Sequence, residues 1–121
     1  MNTILIADDD FISLEVLKAM LASYSLEIIC ASNGTDAIAL AKDKQPQLII
    51  LDYEMDDLTG AEVCIELRKD SAFSNTPIIA LTGHQSSTHL DNCRDAGMNE
   101  TLHKPVAPDA LAQLLETHKL I

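Results

Sequence analysis

The sequence lacks the features that mark membrane, secreted and nucleic-acid-binding proteins. No apolar run approaches the ~20 residues of a membrane span, and there is no signal-peptide pattern. Basic residues are scarce, with 8 Lys and Arg against 19 Asp and Glu and a formal net charge of −11. Such a surface repels phosphates and anionic lipids, so we expect neither direct nucleic-acid binding by this domain nor membrane binding.

Cysteine is also sparse. Cys30, Cys64 and Cys93 are widely spaced and form no CxxC pair. We therefore expect reduced thiols, buried or half-buried, in a cytoplasmic protein. Internal repeats, linkers and low-complexity segments are lacking too. With 121 residues and 47% apolar content, the chain is expected to form a single domain, residues 1–121, with one substantial core.

Apolar runs and helical patterns alternate five times along the chain. Strands are predicted at residues 3–7, 26–30, 48–51, 77–81 and 100–103. Helices are predicted at about residues 11–23, around 37–41, at about 60–69, at about 87–96 and from 108 onward. Repeated strand–helix units predict an α/β fold with a five-stranded, doubly wound parallel sheet, helices on both faces and right-handed crossovers.

The predicted helices differ in the strength of their apolar faces. Helical spacing predicts buried faces in the first helix at Ile12, Val16, Leu17, Met20 and Leu21, in the third at Val63, Cys64 and Leu67, and in the last at Leu111, Leu114 and Leu115. The fourth helix has only Leu90, Cys93 and Ala96 as apolar anchors. We therefore expect the fourth helix to be weakly attached and to be among the parts that move.

Polar side chains stand at the ends of four predicted strands. Asp8 and Asp9 follow the first strand, Asp52 follows the unbroken apolar run 48–51, Thr82 follows the fourth strand, and Lys104 follows the fifth. The carboxyl ends of parallel strands meet at one edge of a sheet, where open α/β sheets bind their ligands. Gathered carboxylates favour Mg²⁺, which commonly pairs carboxylates with a phosphate, while a hydroxyl and an ammonium suit a phosphoryl group.

These residues give the chain a resemblance to the response regulator receiver domains of two-component signalling, over nearly its whole length. The resemblance rests on the order and spacing of Asp8-Asp9, Asp52, Gly60 eight residues later, Thr82, and Lys104-Pro105. It implies a flavodoxin-like (βα)5 fold with strand order 2-1-3-4-5. It also implies a role in phosphorelay signalling, in which the domain catalyses only its own phosphorylation and dephosphorylation and turns over no separate substrate.

The resemblance also assigns roles to individual residues. Asp52 corresponds to the phosphoacceptor, which takes a phosphoryl group from a phosphohistidine of a sensor histidine kinase or a histidine phosphotransfer protein. Mg²⁺ (or Mn²⁺) is expected to bind the side chains of Asp9 and Asp52 and the backbone carbonyl of Glu54, with Asp8 acting through water. Asp8 has the simpler alternative role of an acid at a helix N-terminus.

Further residues correspond to the family's switch, and some depart from its pattern. Thr82 and Lys104 are expected to contact the phosphoryl group, and the Lys104–Pro105 peptide bond is expected to be cis. Thr101 occupies a switch position where many receivers have Tyr or Phe, and Asp56 stands where proline is usual. His84, two residues past Thr82, is expected near the mouth of the site as a modulator of acyl phosphate hydrolysis. Phosphorylation is expected to alter the surface of the fourth helix, fifth strand and fifth helix.

Other function classes stay open alongside this one. A receiver that binds a partner without being phosphorylated, and a flavodoxin-like cofactor binder, have the same architecture. Phosphatases with an aspartyl nucleophile need a second aspartate two residues after the first, but Glu54 stands there. Both a stand-alone regulator and a receiver excised from a hybrid sensor histidine kinase are consistent with the sequence. The expected downstream partner is accordingly a separate protein or a fused output domain.

Overall fold

A computed structural model of the protein describes residues 2–83 and 87–121. Its strands and helices follow one another as β1 (Asn2–Ala7), α1 (Phe11–Leu21), β2 (Leu26–Ala31), α2 (Gly34–Lys44), β3 (Leu48–Asp52), α3 (Gly60–Arg68), β4 (Ile78–Thr82), α4 (Ser87–Ala96), β5 (Glu100–His103) and α5 (Pro108–Thr117). All five predicted strands and all five predicted helices are present. A short 3₁₀ helix, Ser71–Phe73, was not predicted.

The five strands form one parallel sheet in the order β2-β1-β3-β4-β5, which confirms the predicted order. β3 lies at the centre, and every one of its residues is buried. An unbroken apolar run can be buried in this way only when both faces of a sheet are covered. β3 therefore delivers Asp52 from the middle of the sheet to its carboxyl edge.

Helices cover both faces of the sheet, as predicted. One core lies between the sheet and α2, α3 and α4, and the other lies between the sheet and α1 and α5. The inner residues predicted for α3 and α5 are all buried. In α4, Cys93 and Ala96 are buried and Leu90 is half-buried, so α4 has the thin apolar anchorage that its sequence indicates.

The predicted apolar face of α1 is partly wrong. Leu14, Leu17 and Leu21 are the buried residues of this helix, whereas Ile12 is 71% exposed and Val16 is 54% exposed. At about 100° per residue, Val16 and Ile12 lie about 100–140° around the helix from Leu17. The helix therefore has more apolar residues than one face can bury, and an apolar stripe is left on its surface.

Glycine at position 60 allows α3 to pack directly against the end of β3. A Cβ atom on Gly60 would lie 2.7 Å from the carbonyl oxygen of Asp52, too close for any other residue without a backbone shift. The Gly60 N–H donates to the carbonyl of Tyr53 at 2.8 Å. Thr59 and Glu62 form a capping box at the start of α3. The loop after Asp52 is thereby held at both ends.

Cys64 and Cys93 are buried and Cys30 is half-buried, and all three are free thiols, as predicted. Among residues 2–83 and 87–121, no helix combines the length and apolar character that crossing a membrane requires.

Candidate functional site

A cleft of about 440 Å³ opens at the carboxyl edge of the sheet. Its lining includes most of the residues singled out in the sequence: Asp9, Asp52, Glu54, Thr82 and Lys104. Asp52 and Thr82, at the ends of β3 and β4, are only 6% and 3% exposed, and Asp8 beside them is 2% exposed. The topology thus brings together residues that lie up to 96 positions apart in the sequence (104 − 8).

Lys104 bridges two buried carboxylates. Its Nζ lies 2.8 Å from Asp8 Oδ2 and 3.3 Å from Asp52 Oδ1. The Asp8 Oδ2 atom is buried and has no partner with hydrogen-bond geometry, so its contact with Lys104 is a close ion pair rather than an aligned hydrogen bond. Asp8 Oδ1 accepts the backbone N–H of Asp10 at 2.9 Å. Asp8 is therefore part of the charge cluster as well as of the turn into α1.

The cleft perturbs the titration of its charged groups. Burial, with the neighbouring charge of Asp8, raises the pKa of Asp52 to about 7, although Lys104 opposes the rise. Burial lowers the pKa of Lys104, but the contact with Asp8 and the charges of Asp52 and Asp8 outweigh it and raise the pKa overall. Asp9 is largely exposed, yet partial desolvation and the charges of Asp56 and Asp8 raise its pKa. Negative charge is thus in excess within the cleft.

The residues present fit a hard divalent cation. Carboxylate oxygens of Asp8, Asp9 and Asp52 all lie within 4.8 Å of one another. The Asp8 Oδ2 atom is buried without an aligned hydrogen-bond donor. Among the described residues that line the cleft, Lys104 is the one ammonium beside the three carboxylates. Oxygen ligands of this kind, with room for water, suit Mg²⁺. Asp9 and Glu54 lie on the open side of the cleft.

The predicted switch residues occupy different places. The Thr82 carbonyl accepts the Lys104 N–H at 2.9 Å, which joins the ends of β4 and β5 beside the cleft. Thr101 pairs with Ala80 in the sheet and is half-buried, in a separate depression that it shares with Leu90. The Lys104–Pro105 peptide bond is cis, as expected. The prediction for His84 lies outside the described residues.

Sequence reasoning missed the role of Asp57, which ties the loop after β3 to the start of α2. Its carboxylate accepts the backbone N–H groups of Gly34 and Thr35 at 2.8 and 2.9 Å and the Thr35 hydroxyl at 2.6 Å. These hydrogen bonds, led by the one from the hydroxyl, hold the pKa of Asp57 well below its usual range. The neighbouring Asp56 faces Asp9 instead and adds to the charge at the mouth of the cleft. No local pattern indicates either contact, because the partners of both residues are distant in the sequence.

Comparison with known proteins agrees with this geometry. Residues 4–116 match the family model of the response regulator receiver domain. The chain belongs to this family. The receiver domain is 31% identical over 115 residues to PilH of Pseudomonas aeruginosa, and the match covers 95% of each protein.

Solved structures of receiver domains superimpose closely on this one. The chemotaxis protein CheY4 of Vibrio cholerae is 28% identical, with a TM-score of 0.90 and coverage of 97% of this receiver domain and 98% of CheY4. The receiver domain of the sensor histidine kinase PA1611 from Pseudomonas aeruginosa is 29% identical, with a TM-score of 0.89 and coverage of 96% and 95%. That structure has a magnesium ion coordinated in its active-site cleft.

Proposed function

We propose that this receiver domain accepts a phosphoryl group on Asp52 from a phosphohistidine and thereby transmits a signal in a phosphorelay. The observation that supports this most is the Lys104 ammonium, 3.3 Å from Oδ1 of a buried aspartate and 2.8 Å from a second carboxylate. Asp52 is buried and shares its cleft with Lys104 and Thr82, and this combination of carboxylate, cation and hydroxyl suits an incoming phosphoryl group. The proposed location of the protein is the cytoplasm.

The transfer chemistry needs little from the protein beyond position and charge. An oxygen of Asp52 attacks phosphorus, a P–O bond forms as the P–N bond to the donor imidazole breaks, and the released imidazole takes up a proton. Lys104 and Thr82, which line the same cleft as Asp52, are the proposed contacts of the phosphoryl oxygens as the charge redistributes. Hydrolysis reverses the state: water attacks phosphorus, the P–O bond to Asp52 breaks, and inorganic phosphate leaves. The domain therefore acts on itself and is not an enzyme with a separate substrate.

Asp9, Asp52 and the backbone carbonyl of Glu54 are the proposed ligands of Mg²⁺ or Mn²⁺, with Asp8 acting through water. The clustered carboxylates and the similar receiver domain of PA1611, solved with magnesium in its cleft, support this. When bound, the ion supplies positive charge that favours ionised Asp52 and offsets the charge of the phosphoryl oxygens. Only the ionised carboxylate is a nucleophile, and the pKa of Asp52 is raised. The positive charge of the ion would therefore increase the fraction of Asp52 that can react.

The proposed donor is a sensor histidine kinase or a histidine phosphotransfer protein, and the rim of the cleft offers it an apolar contact. A groove of about 330 Å³ runs beside Lys104, between α1 and the segment that follows β5. Its walls include the exposed Ile12 and Val16, together with Pro105 and Val106. A protein that presents a phosphohistidine to Asp52 is proposed to cover this rim. Phosphorylation is then proposed to alter the surface of α4, β5 and α5, which binds a downstream protein or fused output domain.

Intact-protein mass spectrometry after incubation with acetyl phosphate and Mg²⁺ tests the proposal. We expect one added phosphoryl group on the wild type, and none on Asp52→Asn or after addition of EDTA. An unmodified wild type would favour a receiver that binds its partner without phosphorylation. Continuous release of phosphate from simple phosphoesters, far beyond one equivalent, would instead favour the phosphohydrolase class. Val16→Glu tests whether the apolar rim is needed for transfer from a protein donor but not from acetyl phosphate. Lys18→Gln, on the same helix, changes the net charge by the same amount and is the control.

A further inference from the structure

Tyr53, the residue after Asp52, is fixed at its backbone. Its N–H donates to the carbonyl of Leu81 at 2.9 Å, and its carbonyl accepts the N–H of Gly60 at 2.8 Å. The residue is buried and contributes to the wall of the cleft. Because β4 holds one side of its peptide and α3 holds the other, the start of the Tyr53 side chain cannot move far.

The far end of the Tyr53 side chain contacts α4. Its ring stacks on the ring of His89, with centroids 4.3 Å apart and an angle of 26° between the planes. Its hydroxyl accepts a hydrogen bond from Asn92 Nδ2 at 3.1 Å. His89 and Asn92 are three residues apart and so lie on the same side of the helix. A single side chain thus runs from the wall of the cleft to His89 and Asn92 near the middle of α4.

The C-terminal end of α4 has different anchors, which lead to α3 rather than to the cleft. Cys93 and Ala96 are buried, and the Cys64 thiol lies 3.3 Å from the Ala96 carbonyl. Arg68 donates from Nη2 to the carbonyl of Gly97 at 2.8 Å. One end of α4 is therefore tied to the scaffold, while the described contacts of the other half include a direct link to the residue beside Asp52.

We propose that Tyr53 is a positioning residue that couples the state of Asp52 to the position of α4 through His89 and Asn92. This proposal rests on the proposed function, since it requires phosphorylation of Asp52. Phosphorylation enlarges the Asp52 side chain in the cleft, next to Tyr53, whose backbone is hydrogen-bonded on both sides. The ring of Tyr53 and the thinly anchored half of α4 are then the parts that can respond. Only contacts that differ between the two states can shift the equilibrium, and the stack of Tyr53 on His89 is the contact proposed to differ.

The test compares His89→Ala, which removes the stack from the α4 side, with His89→Phe, which restores an aromatic ring. Asp95→Ala, an exposed change on the same helix, controls for altered helix stability. Intact mass first records how much of each variant is phosphorylated. Amide exchange across residues 87–96 is then measured with and without the phosphoryl group.

We expect phosphorylation to change exchange in the N-terminal half of α4 in the wild type, His89→Phe and Asp95→Ala. In His89→Ala this response should fall by about two- to tenfold, the range that loss of one aromatic pair implies, while Asp52 is still phosphorylated. Tyr53→Phe, which keeps the ring and loses the hydroxyl, should retain most of the response. A phosphorylated His89→Ala whose α4 responds like the wild type overturns the coupling alone. A wild type that takes up no phosphoryl group overturns the proposed function and the coupling together.

Discussion

Replacing Asp52 by asparagine should stabilise the protein at pH 8 in the absence of divalent cations, even though it removes the proposed acceptor. The pKa of Asp52 is raised to about 7 by burial and by the charge of Asp8, against about 3.9 in an unfolded chain. The folded state then binds more protons than the unfolded state between these two values. The free energy of unfolding therefore falls as pH rises through this window.

The size of the effect follows from the same two values. A difference of about three pH units, at about 1.36 kcal/mol each, gives an upper limit of about 4 kcal/mol above pH 7. Because the side chain meets water at the cleft, we expect about 2–4 kcal/mol, or a rise in Tm of roughly 10 °C for a chain of this size. The stabilisation should be largest above pH 7 and shrink towards pH 4, close to the unfolded-state pKa, below which Asp52 is protonated in both states.

Urea unfolding of the wild type and Asp52→Asn in EDTA, from pH 5 to 8.5, measures this difference. Glu116→Gln removes one exposed negative charge from α5, away from the cleft, and controls for the overall charge of −11. We expect the control to change stability by less than about 0.5 kcal/mol. The reasoning is refuted if Asp52→Asn is no more stable than the wild type at pH 8, or if its gain does not depend on pH.

Three further predictions concern the surroundings of Asp52. Lys104→Met should raise the pKa of Asp52 further, because an attracting charge 3.3 Å away is lost. Phosphorylation by acetyl phosphate at pH 7 should then slow by about tenfold or more, a loss similar to that seen when enzymes lose a charge-stabilising contact. An unchanged rate would exclude a role for Lys104 in phosphoryl transfer. Gly60→Ala should destabilise the fold by about 1–3 kcal/mol in urea, since its Cβ would lie 2.7 Å from a backbone oxygen. Gly83→Ala, with nothing within 4 Å of a Cβ, is the matched control and should be near neutral. Asp57→Ala should lower the urea midpoint at pH 6–8, because a carboxyl with a lowered pKa stabilises the fold above its unfolded pKa. The difference from the wild type should become smaller below about pH 4. A difference that is the same at every pH would contradict this prediction.

The framework of the fold could be predicted because its signals are local and repeated. Runs such as Leu48–Asp52 end in polar residues, and the parallel arrangement brings these ends together whatever lies between them. The first helix shows where such reasoning fails. Ile12 and Val16 have helical spacing, but so do the buried residues Leu14, Leu17 and Leu21. Only the position of the sheet decides which of these two apolar stripes is buried.

Contacts that depend on tertiary structure could not be predicted in the same way. Asp57 binds backbone groups 22 and 23 positions away. Arg68 donates to the carbonyls of Phe73, Thr76 and Gly97 and so joins three separate segments. Each of these side chains is an ordinary surface charge in the sequence. Most of their partners are backbone groups, which have no residue type to recognise, so no sequence motif predicts these contacts.

Mapping the modified residue tests the central proposal most directly. After reaction with acetyl phosphate and Mg²⁺, borohydride reduces an aspartyl phosphate to homoserine, which peptide mass spectrometry can locate. We predict homoserine at position 52 and nowhere else, with its formation abolished by EDTA. Homoserine at Asp8 or Asp9, or its absence from a protein that has gained a phosphoryl group, would contradict the assignment of Asp52 as the acceptor.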